Sequence, residues 1–365
     1  MAKTKFTDVT HKNAGPTRRT FLAGSGTAAL AATALSGPLI LVPGKAKGAG
    51  KVVVATWGGG FQEALTEAFY KPFTKETGID VVVAGAPDLA KLTAQLKTGS
   101  VEVDIADLAS GQIVAGNKEG VWAPINYKIV NMDGAIPEAK KDRQLAYYTY
   151  AGGIGYDKTR TPEGKHPTNW PEFWDVKKFP GRRGLRARIS ETLELALMGD
   201  GVDPKKVYPC DVERGFKALE RIKPNCQWIV ETPKTVELIA RNEVDFTYTY
   251  NGRVYASNKT TGSNLGYSFK QNFFGLGWVS PVSKSPNPEA GQKLLAYLMR
   301  PDRQAEFANR IPYPPTISSA MKLVTGETKA WLPDSQAPDV CVENVDWWGD
   351  KFEDLTKRFK EWQIT

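Results

Sequence analysis

Lys51-Val52-Val53-Val54-Ala55-Thr56-Trp57, then Gly58-Gly59-Gly60, then the segment 61–76, decides how this chain folds. The first run is apolar and β-branched, as in a strand covered on both faces. Three glycines end it. Phe61, Leu65, Phe69 and Phe73 then recur at helical spacing until Gly78 stops the helix. A buried strand feeding an amphipathic helix is the opening unit of a largely parallel α/β layer.

Outward from that unit the alternation continues. Strands are predicted over 79–83 and 103–108, with helices over 87–97 and 112–119. A strand over 145–150 runs into Gly152-Gly153-Ile154-Gly155-Tyr156, where the glycines predict a crossing with unusual backbone freedom. A second α/β series follows: strand 184–189, helices 191–198, 211–222 and 233–241, and strand 245–250. The segment 273–278 predicts a crossing back, before helices over 289–299 and 302–309. The last helix, 345–362, places Trp348, Phe352, Leu355, Phe359 and Trp362 on one stripe, which reads as an apolar face docked on a lobe rather than an aromatic ligand box.

The first 49 residues read as an address. A basic stretch leads to Arg18-Arg19-Thr20-Phe21-Leu22, a weakly apolar run and then Lys45-Ala46-Lys47. That order is a cleavable secretory leader, and the arginine pair matches the twin-arginine (Tat) export pattern. Residues 1–48 hold seven basic side chains and one acid, so they carry +6 of the chain's net +8. The +2 that remains gives no basic face, which argues against nucleic acid. Some 315 residues after the leader suffice for two cores. Cys210, Cys226 and Cys341 make an odd count. The helix predicted over 211–222 holds Cys210 and Cys226 too far apart for a direct disulfide, so all three read as packing residues.

Chemistry is poorly stocked. His166 is the single histidine after the leader, no close Cys/His set would hold a metal, and no nucleophile elbow is present. Gly58-Gly59-Gly60 lacks the Gly-Lys-Ser/Thr ending of a phosphate loop. No enzyme activity, cofactor or metal is expected, and a carboxylate-driven enzyme is the weakest of the alternatives.

Several segments in order resemble the spermidine/putrescine-type family of extracellular solute-binding proteins that serve ABC importers. They are Thr56-Trp57-Gly58, Phe73-Thr74-Lys75-Glu76-Thr77-Gly78-Ile79, Val103-Asp104-Ile105 leading to Gly111, and Gly120-Val121-Trp122. Asn169-Trp170-Pro171-Glu172-Phe173-Trp174-Asp175, Asp245-Phe246 through Tyr250-Asn251-Gly252, Ala296-Tyr297-Leu298-Met299-Arg300-Pro301 and Ile311-Pro312-Tyr313-Pro314-Pro315 complete the set. The resemblance implies a two-lobed periplasmic-binding-protein fold of type II, with ligand clamped between the lobes by hinge closure. Lobe 1 would comprise residues 50–154 and 280–365, including the C-terminal helices, and lobe 2 residues 155–279. The implied protein is a periplasmic monomer that captures a small polar solute for a membrane permease.

The same resemblance suggests the cleft residues. Trp57 takes the place of a ligand-stacking tryptophan beside Gly58. Ser110 takes that of a small hydroxyl, with Gln112 nearby. Glu191 takes that of a carboxylate pairing with an amine, and Thr232, Tyr250, Asn251 and Tyr313 those of polar and aromatic contacts. Two departures stand out. Arg188 occupies the position of a further acid, and Phe274-Gly275-Leu276-Gly277 lacks the acid expected near the second crossing. Losing two carboxylates and gaining an arginine disfavours a polycation. Arginine beside glutamate suits an amino-acid-like or opine-like zwitterion; the rival is a plain Arg188–Glu191 salt bridge beside a polyamine-like, putrescine-sized site. Ferric-ion or anion binding within the same superfamily is the alternative. Against iron, Tyr147 and Tyr148 are expected on opposite faces of their strand.

Overall fold

The computed structural model describes residues 40–41, 50–162, 164–334 and 337–364. Apart from 40–41, the expected leader 1–49 lies outside the described residues. Ten strands form one sheet: β1 (Ile40–Leu41), β2 (Lys51–Ala55), β3 (Asp80–Val83), β4 (Ile105–Leu108), β5 (Leu145–Asp157), β6 (Arg183–Arg186), β7 (Cys226–Ile229), β8 (Phe246–Tyr250), β9 (Leu265–Pro281) and β10 (Cys341–Val342). Their order is β1-β3-β2-β4-β9-β5-β8-β6-β7, with β10 beside β9.

Parallel pairs β2–β3 and β2–β4 build one half of the sheet, and β6–β7 and β6–β8 the other. The two long antiparallel strands β5 and β9 run through both halves. The expected crossings lie within these continuous 13- and 17-residue strands. Their glycines serve close approach: a Cβ on Gly152 would stand 2.1 Å from the Tyr248 hydroxyl.

The segment predicted as one helix over 61–76 is α1 (Gly60–Leu65), a π-turn at Thr66–Tyr70, and α2 (Lys71–Thr77). Pro72 has no N–H to give to Ala68, which accounts for the widened turn just before it. Phe61, Leu65, Phe69 and Phe73 are all buried, and Gly78 ends α2 at φ 74°. The remaining helices in order are α3 (Leu89–Thr98), α4 (Ser110–Lys118), α5 (Trp170–Trp174), α6 (Ile189–Gly199), α7 (Val212–Ile222), α8 (Lys234–Ala240) and α9 (Asn251–Thr261). After β9 come α10 (Pro288–Leu298), α11 (Pro301–Arg310), α12 (Ser318–Met321), α13 (Val345–Trp348) and α14 (Phe352–Ile364). Asp88, Asn169 and Asp211 cap α3, α5 and α7 through hydrogen bonds of 3.0–3.1 Å.

The final helix is corrected: it is broken between Trp348 and Phe352, and α14 packs on α6 and α7 and also on α4, where the Phe352 ring lies over Gly111. Arg358 pairs with Glu213, the Trp362 indole donates to Glu220 at 2.6 Å, and Lys223 donates to the Trp362 carbonyl at 2.6 Å. Tyr147 and Tyr148 share a side, with ring centroids 4.8 Å apart, because a bulge between Ala146 and Tyr148 breaks the period of two. Cys210, Cys226 and Cys341 are unbonded, and burial pushes the Cys226 thiol up to about 12. Among the described residues no helix is long and apolar enough to cross a membrane.

Candidate functional site

The carboxyl ends of β2, β4, β6 and β8 converge on a cleft crossed at its back by β5 and β9, the place where open α/β sheets hold ligands. Two cavities share Trp57 and Thr232 as a common wall. The inner one, about 50 Å³, is walled by Phe61, Tyr148, Tyr150, Tyr250 and Tyr313, with Arg188 and Arg253 at its polar edge. The outer one, about 1100 Å³, runs past Gly58, Gln112 and Arg186 to the exposed face of α14.

The aromatic wall follows from glycines on the neighbouring strand. Tyr148 and Tyr150 lie over Gly277 and Gly275 of β9, where a Cβ would stand 2.0 and 2.4 Å from their rings. Tyr148 stacks on Tyr313 at 5.3 Å, and Tyr150 meets Tyr250 edge-on at 5.5 Å. Burial pushes the Tyr250 phenol up to about 12.

The charged centre is a closed knot. Arg188 pairs with Glu191 and also donates to the Tyr250 hydroxyl at 2.7 Å. Tyr250 in turn donates to Glu191 Oε2 at 2.7 Å, and Tyr150 donates to Oε1 at 3.2 Å. Burial alone would raise the Glu191 pKa. The Arg188 charge and these hydrogen bonds outweigh it and hold the carboxyl below its ordinary range. Glu191 was expected at the head of a helix beginning at 191 after a strand ending at 189. Instead β6 stops at Arg186, and Glu191 sits in a break within α6 at φ 69°. A non-glycine residue in the left-handed region is strained, and such strain gathers at functional sites.

Two further arginines face the cleft. Arg253 donates to the carbonyl oxygens of Trp57 and Gly58, both at 3.1 Å, and burial lowers its pKa. Arg186 is only 3% exposed and donates from Nη2 to the Val230 carbonyl at 3.0 Å, while its Nε and Nη1 have no partner. Burial first, then the Arg188 charge, brings Arg186 down to about 10.

The structure thus brings Trp57, Arg188, Thr232, Tyr250 and Tyr313 together around the inner cavity, with Glu191 bonded to its rim, and Gly58 and Gln112 along the outer one. Ser110 and Asn251 line neither. Ser110 donates to Glu343 at 2.5 Å, and Asn251 donates to the carbonyls of Pro312 at 2.7 Å and Trp331 at 3.0 Å. Phe61, Tyr148, Tyr150, Arg186 and Arg253 escaped the sequence reading. The one available signal was Gly275-Leu276-Gly277 as the antiparallel complement of Tyr148-Thr149-Tyr150. Among the described residues no group of three or more His, Cys, Asp or Glu side chains could hold a metal ion.

Residues 68–334 match the bacterial extracellular solute-binding protein family. A gamma-aminobutyric acid-binding protein of Pseudomonas aeruginosa is 30% identical over 321 residues, covering 85% of this chain and 90% of the relative. Among solved structures, the binding protein AgtB of Agrobacterium tumefaciens in complex with agropinic acid superposes with a TM-score of 0.81 at 26% identity, covering 87% of this chain and 99% of that one. The Atu4243–GABA receptor gives 0.76 at 27% identity, covering 86% and 97%. With three-quarters of its length matched and the two-lobed architecture in common, this chain belongs to the bacterial extracellular solute-binding protein family.

Proposed function

We propose that the protein is the periplasmic receptor of an ABC importer, exported by the leader over 1–49, and that its solute is a small amine bearing a carboxylate. The observation that carries this is the Arg188–Glu191–Tyr250 knot. Glu191 is bonded into the inner wall through Tyr250, and arginine already neutralises it, with Arg253 beside the same cavity. In the inner cavity a polycation would meet surplus positive charge, Arg188 and Arg253 against Glu191. A zwitterion would find guanidinium donors for its carboxylate, and Glu191 with tyrosine faces for its ammonium. The inner cavity suits a chain of few atoms, in keeping with the γ-aminobutyrate named for two of the similar proteins. The protein binds, closes and hands over its cargo without covalent chemistry.

Titration calorimetry of the purified protein against 4-aminobutyrate, putrescine and spermidine tests this. Binding of 4-aminobutyrate with no heat from either polyamine is expected. Tight spermidine binding with silence toward every carboxylated amine would sink the reading.

A further inference from the structure

We infer that Arg186 is the anchor for a second acidic group on the solute, held in the outer cavity; this rests on the reading of the inner cavity as a carboxylated-amine site. Arg183, more deeply buried still, sets the standard in this fold. Arg183 is 0% exposed, and its Nε, Nη1 and Nη2 donate to the carbonyls of Phe173, Gly181 and Phe179. Arg186 is almost as buried but uses Nη2 alone, leaving Nε and Nη1 without partners. Its charged neighbours do not supply what is missing. Arg188 repels it, and Glu191 is engaged by Arg188, Tyr150 and Tyr250.

An uncompensated buried charge is unfavourable, so a position that keeps one is poised for a counter-ion. The planar guanidinium fork matches a carboxylate in two parallel hydrogen bonds. Arg186 lines the outer cavity beside Trp57 and Thr232, the residues it shares with the inner one. A solute lying across that wall places its amine and first carboxylate inside and a second carboxylate at Arg186. The class is therefore amines with two acid groups: acidic amino acids or N-carboxyalkyl amino acids.

The test is calorimetry on wild type and Arg186→Gln with 4-aminobutyrate, L-glutamate (the same molecule plus one carboxylate) and N-(carboxymethyl)-4-aminobutyrate. At least one diacid should bind wild type about tenfold tighter than 4-aminobutyrate and lose about tenfold or more in Arg186→Gln, while 4-aminobutyrate changes less than about threefold. If Arg186→Gln does not fold, Arg186→Lys keeps the charge but not the fork, and the same selective loss is expected. Equal loss for all three acids, or diacids binding no tighter than 4-aminobutyrate, overturns the inference and leaves the inner site standing. No binding of any acid to wild type overturns the inner-site reading and this one with it.

Discussion

Arg253, in the first turn of α9, donates to the carbonyl oxygen of Trp57, the residue just past β2. The bond is 3.1 Å long and joins segments on either side of the crossing strands, with a second bond to Gly58 beside it. Hydrogen bonds from a charged donor contribute about 1.5–3 kcal/mol each. Arg253→Ala should therefore favour the open cleft. Small-angle scattering of the ligand-free variant should give a larger radius of gyration than wild type; an unchanged radius would mean the tie does not hold the lobes.

Breaking the knot from one side should cost more than removing both charges. Arg188→Met leaves Glu191 buried without its counter-charge, a loss of about 3–5 kcal/mol. The double variant Arg188→Met/Glu191→Gln should recover a good part of that. Urea unfolding of the two single variants and the double gives the coupling, and simple additivity would refute it.

Stability should depend on pH in an unusual direction. Burial raises Asp107 and Glu194 to about 7 and Glu343 to about 8, in each case against the hydrogen bonds they accept. Folded pKa values above the unfolded ones mean the folded state holds more protons. Stability is then greatest below the unfolded carboxylate range and is lost as pH rises toward 8. Glu191, Asp157 and Asp200 are held low, so their contribution disappears only in strong acid. The melting temperature should thus rise from pH 8 to about pH 5. Asp107→Asn, which mimics the protonated acid between Thr56 and Tyr147, should flatten part of that slope.

Gly277→Ala should damage the binding wall without touching a polar group. Its Cβ would meet the Tyr148 ring at 2.0 Å and force the ring toward the inner cavity. Overpacking of this kind costs about 1–3 kcal/mol. Both the melting temperature and 4-aminobutyrate affinity should fall, and restoration of affinity by Gly277→Ala/Tyr148→Phe would argue against ring displacement as the cause.

The sequence by itself determined the alternation of buried strands and amphipathic helices, because burial on both faces leaves β-branched runs and one-faced helices leave a periodic stripe. The stop at Gly78 was equally legible, since such a left-handed cap is local. Trp57, Tyr250 and Tyr313 were named from resemblance and Arg188 from departure from it, and all four line the inner cavity. Only the tertiary structure decided the rest. The glycine-rich segments became strand because their missing side chains admit rings from the partner strands, a relation between residues roughly a hundred positions apart or more. Glu191 left the helix because three partners pull its carboxylate into the cleft, and α14 reaches α7 as well as α4 because its Arg358 and Trp362 find Glu213 and Glu220 there. Arg186 reads as an ordinary strand residue in the chain. Which of its donors find a partner depends on every neighbour at once, so only the assembled cleft leaves two of them free.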